Sequence, residues 1–287
     1  MRFLSAIVIA AIFFMLVLPA SLHHASLVVI VTSNDGVVLA SETMGVSSDG
    51  RVEVYDQQKI FPISTKSALV ITGVTGLPTS HGTVWLQDAI KTFVEKNRLP
   101  LTNASLEEQT RMVSNVVMEF FEKYFLALPE SQLPQANEPI AMFVIVGHDM
   151  VPGEGGLRLH RFWYARESKL IRLEVQSAPV VKDRSTVVAF GSGRKSFETI
   201  FGQTFFGEDT TYDRLRALAV VQRIKKAIPS SSTNVLYVPF SDGPELCRTI
   251  IQFAIDHWSD YERGRRTIGG PVKVALITPQ RGFQWVN

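Results

Sequence analysis

Apolar and polar positions divide the chain into stretches of different period. Arg2 precedes a nearly unbroken apolar run from Phe3 to Leu18, closed by Pro19, Ala20 and Ser21. A basic residue, a short apolar run and small residues make the pattern of an export signal, with the cut after Ala20 or Ala25. The run is shorter than the roughly 20 residues of a membrane span, although residues 1–22 would also serve as an uncleaved anchor. The expectation is a leader over residues 1–25 and one folded domain over residues 26–287.

From Leu27 the pattern changes. Leu27 to Thr32 and Val37 to Ala40 are apolar β-branched runs around Asn34-Asp35-Gly36, a strong hairpin signal. Runs this apolar imply strands covered on both faces. Further strands are predicted at Arg51 to Tyr55, Lys59 to Ile63 and Ala68 to Thr72. Helical spacing follows over Val84 to Asn97 and Leu106 to Leu128, the second opened by Ser105 with Glu108 at capping-box distance. Strands resume at Ile140 to Gly147, Leu157 to Tyr164, Leu170 to Val175 and Thr186 to Phe190. Helices are predicted at Lys195 to Phe201, Tyr212 to Ala227 and Pro244 to Tyr261, then strands at Pro271 to Ile277 and Phe283 to Val286. This order suits an α+β domain, two stacked antiparallel sheets between helix layers.

Composition narrows the function classes. With 46% hydrophobic and 20% charged residues the chain is that of a globular protein. A net charge of +2, spread along the sequence, provides no nucleic-acid surface. The lone Cys247 excludes an internal disulfide, and the six histidines are too scattered for a metal set. Asn103-Ala104-Ser105 matches a glycosylation acceptor, a short motif frequent by chance.

The run Asn34-Asp35-Gly36-Val37-Val38-Leu39-Ala40-Ser41-Glu42 resembles the second-strand signature of proteasome subunits. Lys59-Ile60, Thr72-Gly73, Gly191-Ser192-Gly193 and Ile268-Gly269-Gly270-Pro271 follow in the order that family shows. The resemblance, to the proteasome-like branch of the N-terminal-nucleophile hydrolases, runs thinly from Ser26 to the C-terminus. It implies a four-layer αββα sandwich, a peptide or amide substrate, no metal or organic cofactor, and a homo-oligomer or ring. It makes Ser26, ten positions before Gly36, the nucleophile. Glu42 would orient Lys59, the backbone N–H of Gly73 would face the oxyanion, and Ser192 would hydrogen-bond near the amine.

The chemistry is coherent. A serine hydroxyl needs an adjacent base, and a free α-amine with a pKa of about 7.7–8.0 supplies one. That amine exists only if the leader is cut after Ala25. Three departures keep a non-catalytic structural or binding subunit open as the alternative. Glu42 replaces the family's aspartate, Lys59 needs a one-residue insertion, and Arg265 and Ile268 stand where the family carries polar support for the amine.

Overall fold

The computed structural model describes residues 26–46, 52–54, 56–134, 137–147, 156–179, 186–191, 240–256 and 268–286. In chain order the strands begin with β1 (Leu27–Ser33), β2 (Gly36–Glu42), β3 (Gly45–Val46), β4 (Val52–Val54), β5 (Ile60–Pro62), β6 (Ser67–Gly73), β7 (Gly76–Thr79) and β8 (Gly82–Trp85). Helices α1 (Leu86–Lys96), α2 (Arg98–Asn103) and α3 (Leu106–Phe120) follow. Next come β9 (Glu138–Gly147), β10 (Gly156–Ala165), β11 (Leu170–Pro179) and β12 (Thr186–Gly191). Helix α4 (Gly243–Asp256), β13 (Val272–Thr278) and β14 (Gly282–Val286) complete the described part. The result is a mixed α and β fold with several antiparallel sheets. No helix among the described residues is long and apolar enough to cross a membrane.

One five-stranded sheet has the order β12-β1-β2-β13-β14, the other β11-β10-β9-β6-β5. The expected first hairpin forms, with Ile30 opposite Leu39. Its glycine is needed for clearance as well as for its φ of +153°. A β-carbon on Gly36 would stand 2.4 Å from the Ile277 carbonyl oxygen of β13.

Strand alternation sorts the apolar residues by face. Leu27, Val29 and Val31 of β1 pack with Leu246, Ile250 and Ile251 of α4. Their neighbours Val28 and Ile30 meet Val70, Val144 and Val146 of the second sheet. On that sheet's other face, Leu69, Ile71, Phe143 and Ile145 pack with Ile90 of α1 and Val113 and Val117 of α3. Both faces of each central strand are therefore buried, which is why these segments are apolar without interruption. Cys247 is a buried helix residue whose thiol pKa is raised by burial.

Several boundaries move for identifiable reasons. Val84 and Trp85, expected to open a helix, end the β7–β8 ribbon, and α1 starts at Leu86 with its N–H on Thr75 O at 2.7 Å. Helix α2 was not anticipated; its Pro100 sits in the first turn, where a missing N–H costs nothing. The capping box forms as expected, Glu108 N donating to Ser105 Oγ at 3.2 Å and Ser105 N to Glu108 Oε2 at 3.1 Å. The long helix is regular only to Phe120. Over Phe121–Phe125 it widens into a π turn, and both Phe121 and Phe125 are buried, against Phe162 and Tyr164. The helices expected at Lys195 to Phe201 and Tyr212 to Ala227, and the end of Pro244 to Tyr261 beyond Asp256, lie outside the described residues.

His160 of β10 is buried in the face covered by α3, its ring stacked on Phe143 with centroids 4.8 Å apart. Burial, and secondarily the charge of Arg158, lowers its pKa from 6.5 to about 4. Between those values the unfolded chain binds more protons than the folded one, so stability rises with pH there. The contribution of neutral His160 is complete above pH 6.5 and lost as the pH falls towards 4. Urea midpoints measured across this window should fall with acidification, and the fall should be shallower in His160→Gln.

Candidate active site

Strand β2 ends in Glu42, a carboxylate with no solvent exposure. A buried carboxylate must find donors or lose its charge, and Glu42 finds four. Its Oε1 accepts from the Lys59 ammonium and from Leu27 N at 3.2 Å. Its Oε2 accepts from Met44 N at 2.7 Å and Gly269 N at 3.3 Å. Four donors match the lone-pair capacity of an ionised carboxylate. The residues around β1, β2, β5 and the approach to β13 are thereby tied to one side chain.

Lys59 is the ionic partner and is itself only 4% exposed. Its ammonium also donates to Met44 O at 2.7 Å. Burial drives its pKa below the usual lysine range, while the charge and hydrogen bond of Glu42 pull in the opposite direction. Ser26, also buried, is one peptide bond from Leu27, whose N–H shares Oε1 with this ammonium. Ser26 thus immediately precedes the residue whose N–H shares a carboxylate oxygen with a lysine whose proton is held less tightly than in water.

The loop that carries Lys59 is stitched to its neighbours. Gln57 N donates to Thr43 O at 2.9 Å, and its side-chain amide donates to Thr75 Oγ1 at 2.8 Å. Ile71 N donates to Lys59 O at 3.1 Å, continuing the β5–β6 pairing towards Gly73. Gly73 closes β6 with φ of +95°, and a β-carbon there would lie 2.8 Å from both Ala141 Cα and Ile140 O. No other residue fits this backbone without displacing β9.

Four of the five residues expected at the site, Ser26, Glu42, Lys59 and Gly73, thus lie on adjoining segments. The fifth, Ser192, lies outside the described residues, as does Arg265; Gly191, which ends β12, pairs with Leu27. Glu42, despite its extra methylene, accepts from all four of the donors named above. Ile268 points into the apolar cluster under α4. The sequence reading missed the backbone of Met44 and Gly269 as carboxylate donors and Gln57 as a tether. Gly269 was visible only as part of a Gly-Gly pair before a strand. A scan against protein-family models finds no match, and a search of the curated proteins finds no relative.

Removing one partner of a buried ion pair leaves the other uncompensated. Lys59→Met should cost about 3–5 kcal/mol in urea unfolding. Adding Glu42→Gln should cost less than the sum of the two single changes, the signature of direct coupling. Gly73→Ala, strained at positive φ and against β9, should destabilise by about 1–3 kcal/mol. A midpoint indistinguishable from the parent protein's would overturn the packing account.

Proposed function

We propose that this chain is a proteasome-like N-terminal-nucleophile hydrolase, a four-layer αββα sandwich exported from the cytoplasm, acting on peptide or amide bonds. The observation that carries the reading is the buried Glu42–Lys59 pair with the N–H of Leu27, the residue after Ser26, on the same carboxylate oxygen. The packing order supports the fold: α1 and α3 on one sheet, that sheet on the other, and α4 beyond it.

In this reading, cutting the Ala25–Ser26 bond frees an α-amine on Ser26. The amine takes the hydroxyl proton as Ser26 Oγ bonds to the substrate carbonyl carbon. The positive charge of Lys59, held in place by Glu42, keeps the amine neutral and favours the serine oxygen anion. The Gly73 N–H meets the oxyanion, a donor worth about 2.7–4 kcal/mol of barrier. When the C–N bond breaks, the amine passes its proton to the leaving nitrogen. Water then attacks the ester, the carboxylic acid departs, and Ser26 is restored. No metal or organic cofactor takes part.

A second reading keeps the same fold as a non-catalytic subunit, within a homo-oligomer or ring. It is favoured by Ile268, an apolar core residue where the family supports the amine with polar groups.

Intact mass and N-terminal sequencing of the exported protein from its native host separate the two. The hydrolase reading expects a chain that begins at Ser26 and turns over amide substrates, with Ser26→Ala lowering turnover by at least about 10²-fold at an unchanged melting temperature. A mature chain with any other first residue, or no amide turnover by the parent protein, supports the non-catalytic subunit, and full turnover in Ser26→Ala overturns Ser26 as the nucleophile.

A further inference from the structure

A second feature shares no residue with the Ser26, Glu42 and Lys59 cluster and does not depend on the hydrolase reading. Between α3 and strands β10 and β11 lies a cavity of 710 Å³, lined among others by Arg111, Ser114, Arg158, His160, Leu173 and Val175. Leu173 and Val175 are exposed and give it an apolar wall, while Arg111 and Arg158 add positive charge.

The hydrogen bonds at this wall determine the histidine tautomer. Ser114 Oγ is 2.7 Å from Thr110 O, and a carbonyl can only accept, so the hydroxyl proton goes there. His160 Nδ1, 2.8 Å from the same oxygen, must then be the donor to it. In the neutral ring this leaves Nε2 a bare lone pair, buried, and without a partner among the described residues. Buried acceptors are seldom left unsatisfied without a reason. Among the described residues no O–H or N–H supplies the missing donor.

We propose that this cavity is a binding site for a small organic acid that carries a hydroxyl beside its carboxylate and an apolar tail. The donor group satisfies His160 Nε2, the carboxylate faces Arg111 and Arg158, and the tail covers Leu173 and Val175. Two carboxylates also line the cavity, from Glu107 and Glu108. Glu108 is engaged with Ser105 N in the capping box, and Glu107 is exposed to water, so neither closes the cavity to an acid. The neutral imidazole, kept so by burial and by Arg158, does not compete for the acid's charge.

The test uses 3-phenyllactate and 3-phenylpropionate, which differ only in the hydroxyl. Titration calorimetry on the full chain at neutral pH should show 3-phenyllactate binding about tenfold more tightly. His160→Phe should abolish that preference, and Arg111→Gln should weaken both acids alike. A readout that needs no substitution accompanies it: the ring-nitrogen NMR signal of unprotonated Nε2 should shift with 3-phenyllactate and not with 3-phenylpropionate. No binding at millimolar acid, equal affinities for the two acids, a preference retained in His160→Phe, or an Nε2 signal unmoved by 3-phenyllactate would each overturn the proposal.

Discussion

The buried carboxylate of Glu42 is the constraint around which the structure is arranged. Transferring a carboxylate and an ammonium out of water costs several kcal/mol per ion, and their mutual attraction offsets this only with good geometry and satisfied remaining donors. Here the remaining donors are the backbone N–H groups of Leu27, Met44 and Gly269. Each of those peptides must therefore sit within hydrogen-bonding distance, which fixes the start of β1, the exit from β2 and the approach to β13 together. An apolar pair of similar volume would fill the space as well, but it would not hold three separate peptides in register.

The rest of the fold follows from strands that are apolar on both faces. Because β1 and β2 bury one face under α4 and the other against the second sheet, neither strand can slip by a residue without moving a polar end into a core. That locked register places Glu42 at the end of its strand, opposite Val272 of β13. Gln57 and the β5–β6 pairing do the same for Lys59 from the other sheet. The ion pair joins the two sheets at one end.

Much of this was legible because it depends on local pattern. The Asp35-Gly36 hairpin, the Ser105–Glu108 capping box and the apolar runs around Val29 and Val38 all lie within a few residues in sequence. Glu42, Lys59 and Gly73, far apart in sequence, were grouped only by the expected family resemblance. What stayed hidden depends on distant backbone. Nothing in the composition around Gly269 announces that its N–H reaches a carboxylate 227 residues away. The π turn at Phe121–Phe125 packs its two buried rings on Phe162 and Tyr164, which lie on a later strand. His160 looked like one of several scattered histidines until β10 set it against Ser114.

The place of β13 has one more consequence. It is a late strand in the sequence, yet it lies inside its sheet, between β2 and β14, and the peptide just before it supplies the Gly269 bond to Glu42. Pairing between such distant segments is slow, because a long loop must close before any contact rewards it. While the chain is being made, β2 has its earlier neighbour β1 but an open edge on the other side, and the charged cluster lacks one donor. Assembly of the cluster is thereby timed by the chain itself: it is completed only after Gly269 and β13 have left the ribosome.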